Sequence, residues 1–126
     1  MRFLKHIFVA RPDRAPSSGL PLGVATAGFY RVEPPFESFR KTLDRVQLFW
    51  CVAGSGSILL HNQPRCLKRG EIALLFPGMR HRYYADAGPW SFYWLTLDGP
   101  QAGANAAAFG LDASIYPAGK APINQF

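Results

Sequence analysis

Apolar residues fall in short runs along this chain, and glycine or proline closes most of them. Runs of this length, rich in aromatic and β-branched residues and bounded by turn formers, predict strands. Val46–Val52 (VQLFWCV) is the clearest. Gly54-Ser55-Gly56 then turns the chain, and Ser57–His61 (SILLH) returns. Asn62-Gln63-Pro64 leads into Arg65-Cys66-Leu67, and Lys68-Arg69-Gly70 leads into Glu71–Phe76 (EIALLF), which Pro77-Gly78 stops. Gly23–Arg31 (GVATAGFYR), ended by Glu33-Pro34-Pro35, and the short Arg82–Ala85 read as further strands. After Gly88-Pro89 comes Ser91–Leu97 (SFYWLTL). There Phe92, Trp94 and Thr96 share one face, and Ser91, Tyr93, Leu95 and Leu97 share the other. Both faces are largely apolar, so one is expected against a core and the other is available to line a cavity. The alanine-rich Gln101–Phe109 predicts a short helix stopped by Gly110, with one more short strand at Ile115-Tyr116-Pro117. The pattern is all-β.

With 126 residues there is room for one core, and 48% hydrophobic against 17% charged residues fits a folded chain. No apolar run reaches the roughly 20 residues of a membrane helix. The segment before Pro16 is basic, and its apolar stretch Ile7–Ala10 is too short for a secretory signal, so a cytoplasmic location is expected. Residues 1–19 read as a flexible, proline-containing arm and residues 20–126 as the barrel. The net charge of +6 is spread from Arg2 to Lys120 without a dense run, which reads as surface charge and not as a nucleic-acid footprint. Cys51 and Cys66 fit no CxxC or zinc pattern. Both are expected as buried free thiols, and a bridge would need them to face each other on neighbouring strands.

The stretch Leu67–Asp86 (LKRGEIALLFPGMRHRYYAD) places a glycine turn, a buried strand, a Pro-Gly corner and then His81. This resembles the second motif of cupins, and the resemblance implies a double-stranded β-helix barrel of jelly-roll type. Cupin enzymes hold a metal with two histidines and a glutamate from a first motif plus one histidine from the second. Here the first-motif region, Val46–Leu60, has no histidine and no glutamate, and only His6, His61 and His81 occur in the chain. One histidine cannot hold a catalytic metal, so neither a metal nor another cofactor is expected.

A longer set of landmarks is sharper: Arg40, Gly54-Ser55-Gly56, Gly70-Glu71, Pro77-Gly78, His81, Tyr83, Ala85-Asp86, Pro89-Trp90, Tyr93-Trp94 and Asp98-Gly99. Over roughly residues 22–100 this order is similar to the N-terminal domain of AraC-type transcriptional regulators. The resemblance implies a metal-free barrel that binds a small effector, often a sugar, with an N-terminal arm that can fold across it. It implies a homodimer through two helices after the barrel, and DNA binding through a separate helix-turn-helix domain. Phe126 falls before such helices, so both functions are expected to need sequence beyond it. Carried over by position, the effector site would comprise Arg40, Tyr83, Phe92 and Trp94, with His81 at the rim and Thr26. Aromatic faces suit sugar C–H groups, and arginine suits hydroxyls or a carboxylate.

Plainer readings stand beside these. Phe92 and Trp94 are equally suited to a core, and His81 to a structural role. Arg40 could pair with Asp44 if that stretch is helical. A register slip of one residue would put Tyr84 inside in place of Tyr83. Asp86 and Asp98 read as turn residues, and Trp90 as a packing anchor at a corner. No nucleophile–base pair stands out, so a sensing domain is expected before an isomerase- or dioxygenase-like cupin enzyme or a free-standing sugar-binding barrel.

Overall fold

The computed structural model describes residues 3–10, 23–40, 44–108 and 110–118, with the backbone alone given for residues 3–6, 39 and 40. Eight strands and one helix follow in order: β1 (Phe3–Ala10), β2 (Gly23–Val32), β3 (Glu37–Arg40), β4 (Val46–Leu60), β5 (Gln63–Lys68), β6 (Glu71–Leu75), β7 (His81–Asp98), α1 (Ala102–Ala108) and β8 (Ile115–Pro117). Every pairing is antiparallel. The back layer runs β1-β2-β7-β4-β6-β8, while β3 joins β7 and β5 joins β4 to form the front. The two longest strands serve both layers. The C-terminal part of β7 pairs with β2 and its N-terminal part with β3. The result is an all-β barrel closed by two bent strands.

Gly54-Ser55-Gly56, expected as a turn, lies inside β4, whose register against β7 shifts between Cys51 and Ala53 and between Gly54 and Gly56. The glycines are needed for what crosses over them. A Cβ on Gly56 would lie 2.2 Å from the Trp90 ring, and one on Gly54, at φ +69°, would lie 2.1 Å from the Pro89 carbonyl oxygen. The two bulges bend β4 from one layer to the other under Trp90, which is fully buried. Gly88-Pro89 likewise does not interrupt β7.

Other turns form as their residues dictate. His61 and Asn62 both take positive φ, giving the two-residue hairpin turn between β4 and β5. Pro77-Gly78 makes a tight turn, with Gly78 at φ +86° and the Met79 N–H donating to the Phe76 carbonyl. After α1, Gly110 and Leu111 donate back to Ala107 and Ala106, the Schellman closure that a glycine at φ +77° permits.

Two clusters fill the molecule. The interior one contains Phe36, Phe49, Ile58, Leu67, Leu75, Tyr83, Trp90, Phe92 and Trp94. The outer one joins Val46, Leu74 and Ala102 with flanking Ile72, Leu97 and Leu111, so α1 covers part of the back layer's outer surface. Cys51 is buried, but Cys66 lies exposed on β5, and both thiols are free. Residues 3–10 of the segment read as an arm form β1, an edge strand paired with β2; residues 1–2 and 11–22 lie outside the described residues.

Candidate functional site

The register of β2, β7 and β4 sets the interior out in rows. Thr26, Thr96 and Gln47 form one row; Gly28, Trp94 and Phe49 the next; Tyr30, Phe92 and Cys51 a third. Cross-strand partners share a face of the sheet, so these side chains line one interior wall. The rows differ in chemistry. Phe92 packs against Tyr30, Phe49, Tyr83 and Trp90, with ring centres 4.2–6.0 Å apart. Tyr83 packs on Phe36 and Phe49 as well. This is a dense aromatic middle.

The Thr26 row is polar. The hydroxyls of Thr26 and Thr96 are 2.6 Å apart, and the Thr96 hydroxyl also accepts from the Thr26 N–H at 3.1 Å. Across the barrel, His81 Nδ1 lies 3.1 Å from Gln47 Oε1. Since the amide oxygen only accepts, this contact puts a proton on Nδ1. Gln47, His81 and Thr96 are all buried. Arg40 stands opposite His81 in the β3–β7 ladder; its side chain lies outside the described residues.

Trp94 stands between the two regions. It touches Tyr30 at 5.5 Å and stacks on Phe8 of β1 at 5.8 Å with planes 29° apart. Gly28 makes room for its indole, because a Cβ there would lie 2.7 Å from the ring and 2.6 Å from the Ile7 carbonyl oxygen. The indole N–H is buried and has no hydrogen-bond acceptor among the described residues. Buried donors normally find acceptors, so this one is a point where a ligand atom could be received.

The structure thus brings Thr26, His81 and Trp94 to one end of the barrel, with Arg40 at that end by register. Tyr83 and Phe92 sit in the aromatic middle. His81, expected at a rim, is 1% exposed and lies inside. Because Arg40 lies on a strand, the helical spacing to Asp44 does not arise. Asp86 is no mere turn residue: it sits on β7 and accepts from the buried Ser57 hydroxyl. Asp98 closes β7 and, unlike the exposed Asp86, is buried. Gln47 was missed as a site residue, although a glutamine inside VQLFWCV was the visible signal. Thr96 was missed too, although it shares the face of Phe92 and Trp94.

A family model described as the AraC-like ligand binding domain matches residues 27–120. The chain belongs to that family. No curated protein matches it. Its fold is that of cupin barrels. A cupin 2 conserved barrel domain protein from Salinispora arenicola has a TM-score of 0.58 at 15% identity, over 82% of this chain and 83% of that one. The cupin domain of an XRE family transcriptional regulator from Enterobacter cloacae has a TM-score of 0.53 at 14% identity, over 71% and 94%. A predicted oxalate decarboxylase from Thermotoga maritima has a TM-score of 0.55 at 12% identity, over 60% and 67%. At these identities the likeness is one of fold.

Cupin barrels that work as enzymes imply a metal. Among the described residues no three His, Cys, Asp or Glu side chains gather in a metal-holding group. His81 faces an amide oxygen and the two threonines face each other, so the donors here do not fit a metal centre. Among the described residues no helix is long and apolar enough to cross a membrane.

Proposed function

We propose that this domain senses a small polar molecule, a sugar or sugar acid, for an AraC-type regulator. The ligand sits at the polar end of the barrel against Trp94. The observation that carries this reading is the buried indole N–H of Trp94, which has no acceptor among the described residues and lies one row from the Thr26–Thr96–Gln47 polar row. A hydroxyl or carboxylate oxygen would accept from that N–H. The aromatic face would pack against C–H groups, and Arg40 would add charged donors. Sites of this kind pair apolar walls with a few placed polar groups. DNA recognition and dimerisation then belong to parts of the regulator outside residues 27–120, and the protein works in the cytoplasm.

A panel of sugars and sugar acids in a thermal-shift assay tests this. At a hundredfold excess over Kd, a ligand bound only by the folded state adds about 2.7 kcal/mol. For 126 residues this raises Tm by about 10 °C. Trp94→Phe keeps a ring but deletes the N–H, so it should cut the shift sharply, and Arg40→Ala should do the same. A ligand whose shift survives both substitutions binds elsewhere, and the site assignment would then be wrong.

The enzyme reading draws on the fold alone. It requires metal, so a stoichiometric transition metal in the purified protein would favour it over sensing.

A further inference from the structure

The large apolar side chains that stand exposed among the described residues all lie at one edge of the back layer: Ile7, Phe8 and Val9 on β1 and Val24 on β2, between 46% and 65% exposed. The ladder with β2 sets Phe8 opposite Gly28 on an interior row, so Ile7 and Val9 alternate to the outer face, opposite Phe29 and Ala27. Val24 stands on the same outer face, opposite Leu97, where β1 has already ended. Half-buried Phe29 and Tyr93, with ring centres 4.9 Å apart, carry the apolar surface inward from there.

β1 pairs with β2 alone, so the backbone N–H and C=O groups on its other side meet no strand among the described residues. An open edge with apolar side chains is a template for another strand, and folded chains guard such edges with charge, proline or brevity. The other open edges of this fold are guarded in those ways. β5 presents exposed Pro64, Arg65 and Lys68; β8 has three residues and ends on Pro117; β3 has four and carries Glu37. Of the described side chains of β1, Ile7, Phe8, Val9 and Ala10, none is charged. The one edge without such a guard is therefore also the one from which apolar side chains stand out.

We infer that β1 is a pairing edge for a second copy of this chain: two β1 strands meet antiparallel about a two-fold axis near Val9, and the back layers join into one continuous sheet. An antiparallel strand is its own complement, because rotation about such an axis brings N–H groups of one copy to C=O groups of the other. Ile7 and Val9 of both copies then lie side by side on the outer face and cover one another. Four side chains exposed to this degree offer on the order of 400 Å² of apolar surface per copy, the size at which a patch marks an interaction site. With the strand backbones, two copies bury about 1,000 Å², the lower bound for a specific interface, so the pairing is reversible and set by concentration. Charge does not oppose it. Lys5 and Arg31 face each other in the half of the ladder away from Val9, and fall about 25 Å from their counterparts, against a screening length of about 8 Å in physiological salt. All four exposed residues precede residues 27–120, and the pairing does not rest on the interior pocket.

The test is sedimentation equilibrium on the full chain from about 1 to about 300 µM, with amide hydrogen exchange read at both ends of that range. The average mass should rise from one chain toward two. Exchange within Ile7–Ala10 should slow at least about threefold at the high concentration, while exchange in β5 stays level. Val9→Lys places a charge on the open edge and should weaken association at least about tenfold. Val9 is 65% exposed, so the substitution leaves the core alone, and a melting curve at the low concentration verifies this. Arg65→Ala, on the guarded edge of β5, should leave association unchanged. The exchange measurement needs no variant and decides the matter even if Val9→Lys fails to fold. A single-chain mass throughout, β1 exchange that ignores concentration, association that survives Val9→Lys in a folded protein, or association lost in Arg65→Ala would each overturn the inference.

Discussion

Gly28→Ala is the most direct probe of how the candidate pocket is built. Gly28 sits in β2 opposite Trp94, and an added methyl would lie 2.7 Å from the indole and 2.6 Å from the Ile7 carbonyl oxygen. Ordinary carbon contacts begin near about 3.5 Å. The indole or β1 must therefore move by most of an ångström. Trp94 is hemmed in by Tyr30 on one side and Phe8 on the other, so the yielding element is β1 or the ring's place in the barrel. Overpacking of this kind costs about 1–3 kcal/mol. Alanine is otherwise favoured over glycine in a strand by about 0.5–1 kcal/mol. The net loss is then about 1–2 kcal/mol.

Unfolding entropy of about 2.1 cal/mol/K per residue over 126 residues amounts to about 0.26 kcal/mol/K. A fall in Tm of about 4–8 °C follows, read by circular dichroism, together with a change in Trp94 emission. Gly88→Ala is the control, because nothing lies within 4 Å of a Cβ there. Its Tm should stay level or rise slightly. In Gly28→Ala with Trp94→Leu, the smaller side chain makes room for the methyl, so the two effects should be less than additive. A Gly28→Ala protein that melts within about 1 °C of the parent would refute the claim that this glycine makes the space for Trp94.

Four further outcomes are expected. Thr96→Val leaves the Thr26 N–H and hydroxyl without their buried partner, which costs about 1–3 kcal/mol in a urea titration and weakens any ligand found by thermal shift. A thiol reagent should label Cys66 quickly and Cys51 only on unfolding, giving one fast thiol per chain. Burial pushes the Cys51 thiol above its ordinary value of 9.0, so the native state keeps a proton that the unfolded chain loses; stability should therefore fall as pH rises past 9.0, and the loss should vanish in Cys51→Ala. Elemental analysis after purification without chelators should find no stoichiometric zinc, iron or manganese; about one ion per chain would contradict the reading of the donor set.

Much of the fold was legible because local chemistry and global role agree. EIALLF reads as a buried strand on any register, and Glu71–Leu75 of it becomes β6, between β4 and β8 in the back layer. Gly78 and Gly110 take the backbone conformations that their positions demanded. The misreadings arise where a distant residue decides. Gly54-Ser55-Gly56 has turn composition, yet its glycines answer to Pro89 and Trp90, more than thirty positions away in the chain, and no local pattern reveals that contact. Cys66 was placed inside because its neighbours are apolar, but β5 is a front-layer edge strand whose only buried residue is Leu67. The site was legible in part for the same reason. Aromatic positions on SFYWLTL were visible, whereas the pairing of Gln47 with His81 depends on closing the barrel across 34 positions.

One face of β7 divides into an aromatic part and a polar part, and the proposed site lies on the polar one. From Trp90 through Phe92 and Trp94 to Thr96 and Asp98, every second residue is buried, so the strand offers the interior a single continuous wall. Its first two members are surrounded by rings, and truncating such residues costs about 3–5 kcal/mol. The last two carry polar groups that must find partners in the dry interior. Thr96 finds Thr26 across the sheet. Trp94 belongs to both halves: its ring continues the aromatic packing through Tyr30, while its N–H has no acceptor among the described residues. Substitutions N-terminal to it on this wall should therefore act first on stability, and those C-terminal to it first on ligand affinity. Trp94→Phe tests the boundary, because it spares most of the packing and removes only the donor. If Trp94→Phe lowered Tm as much as Phe92→Ala while leaving a ligand's affinity intact, the division would lie elsewhere along the strand.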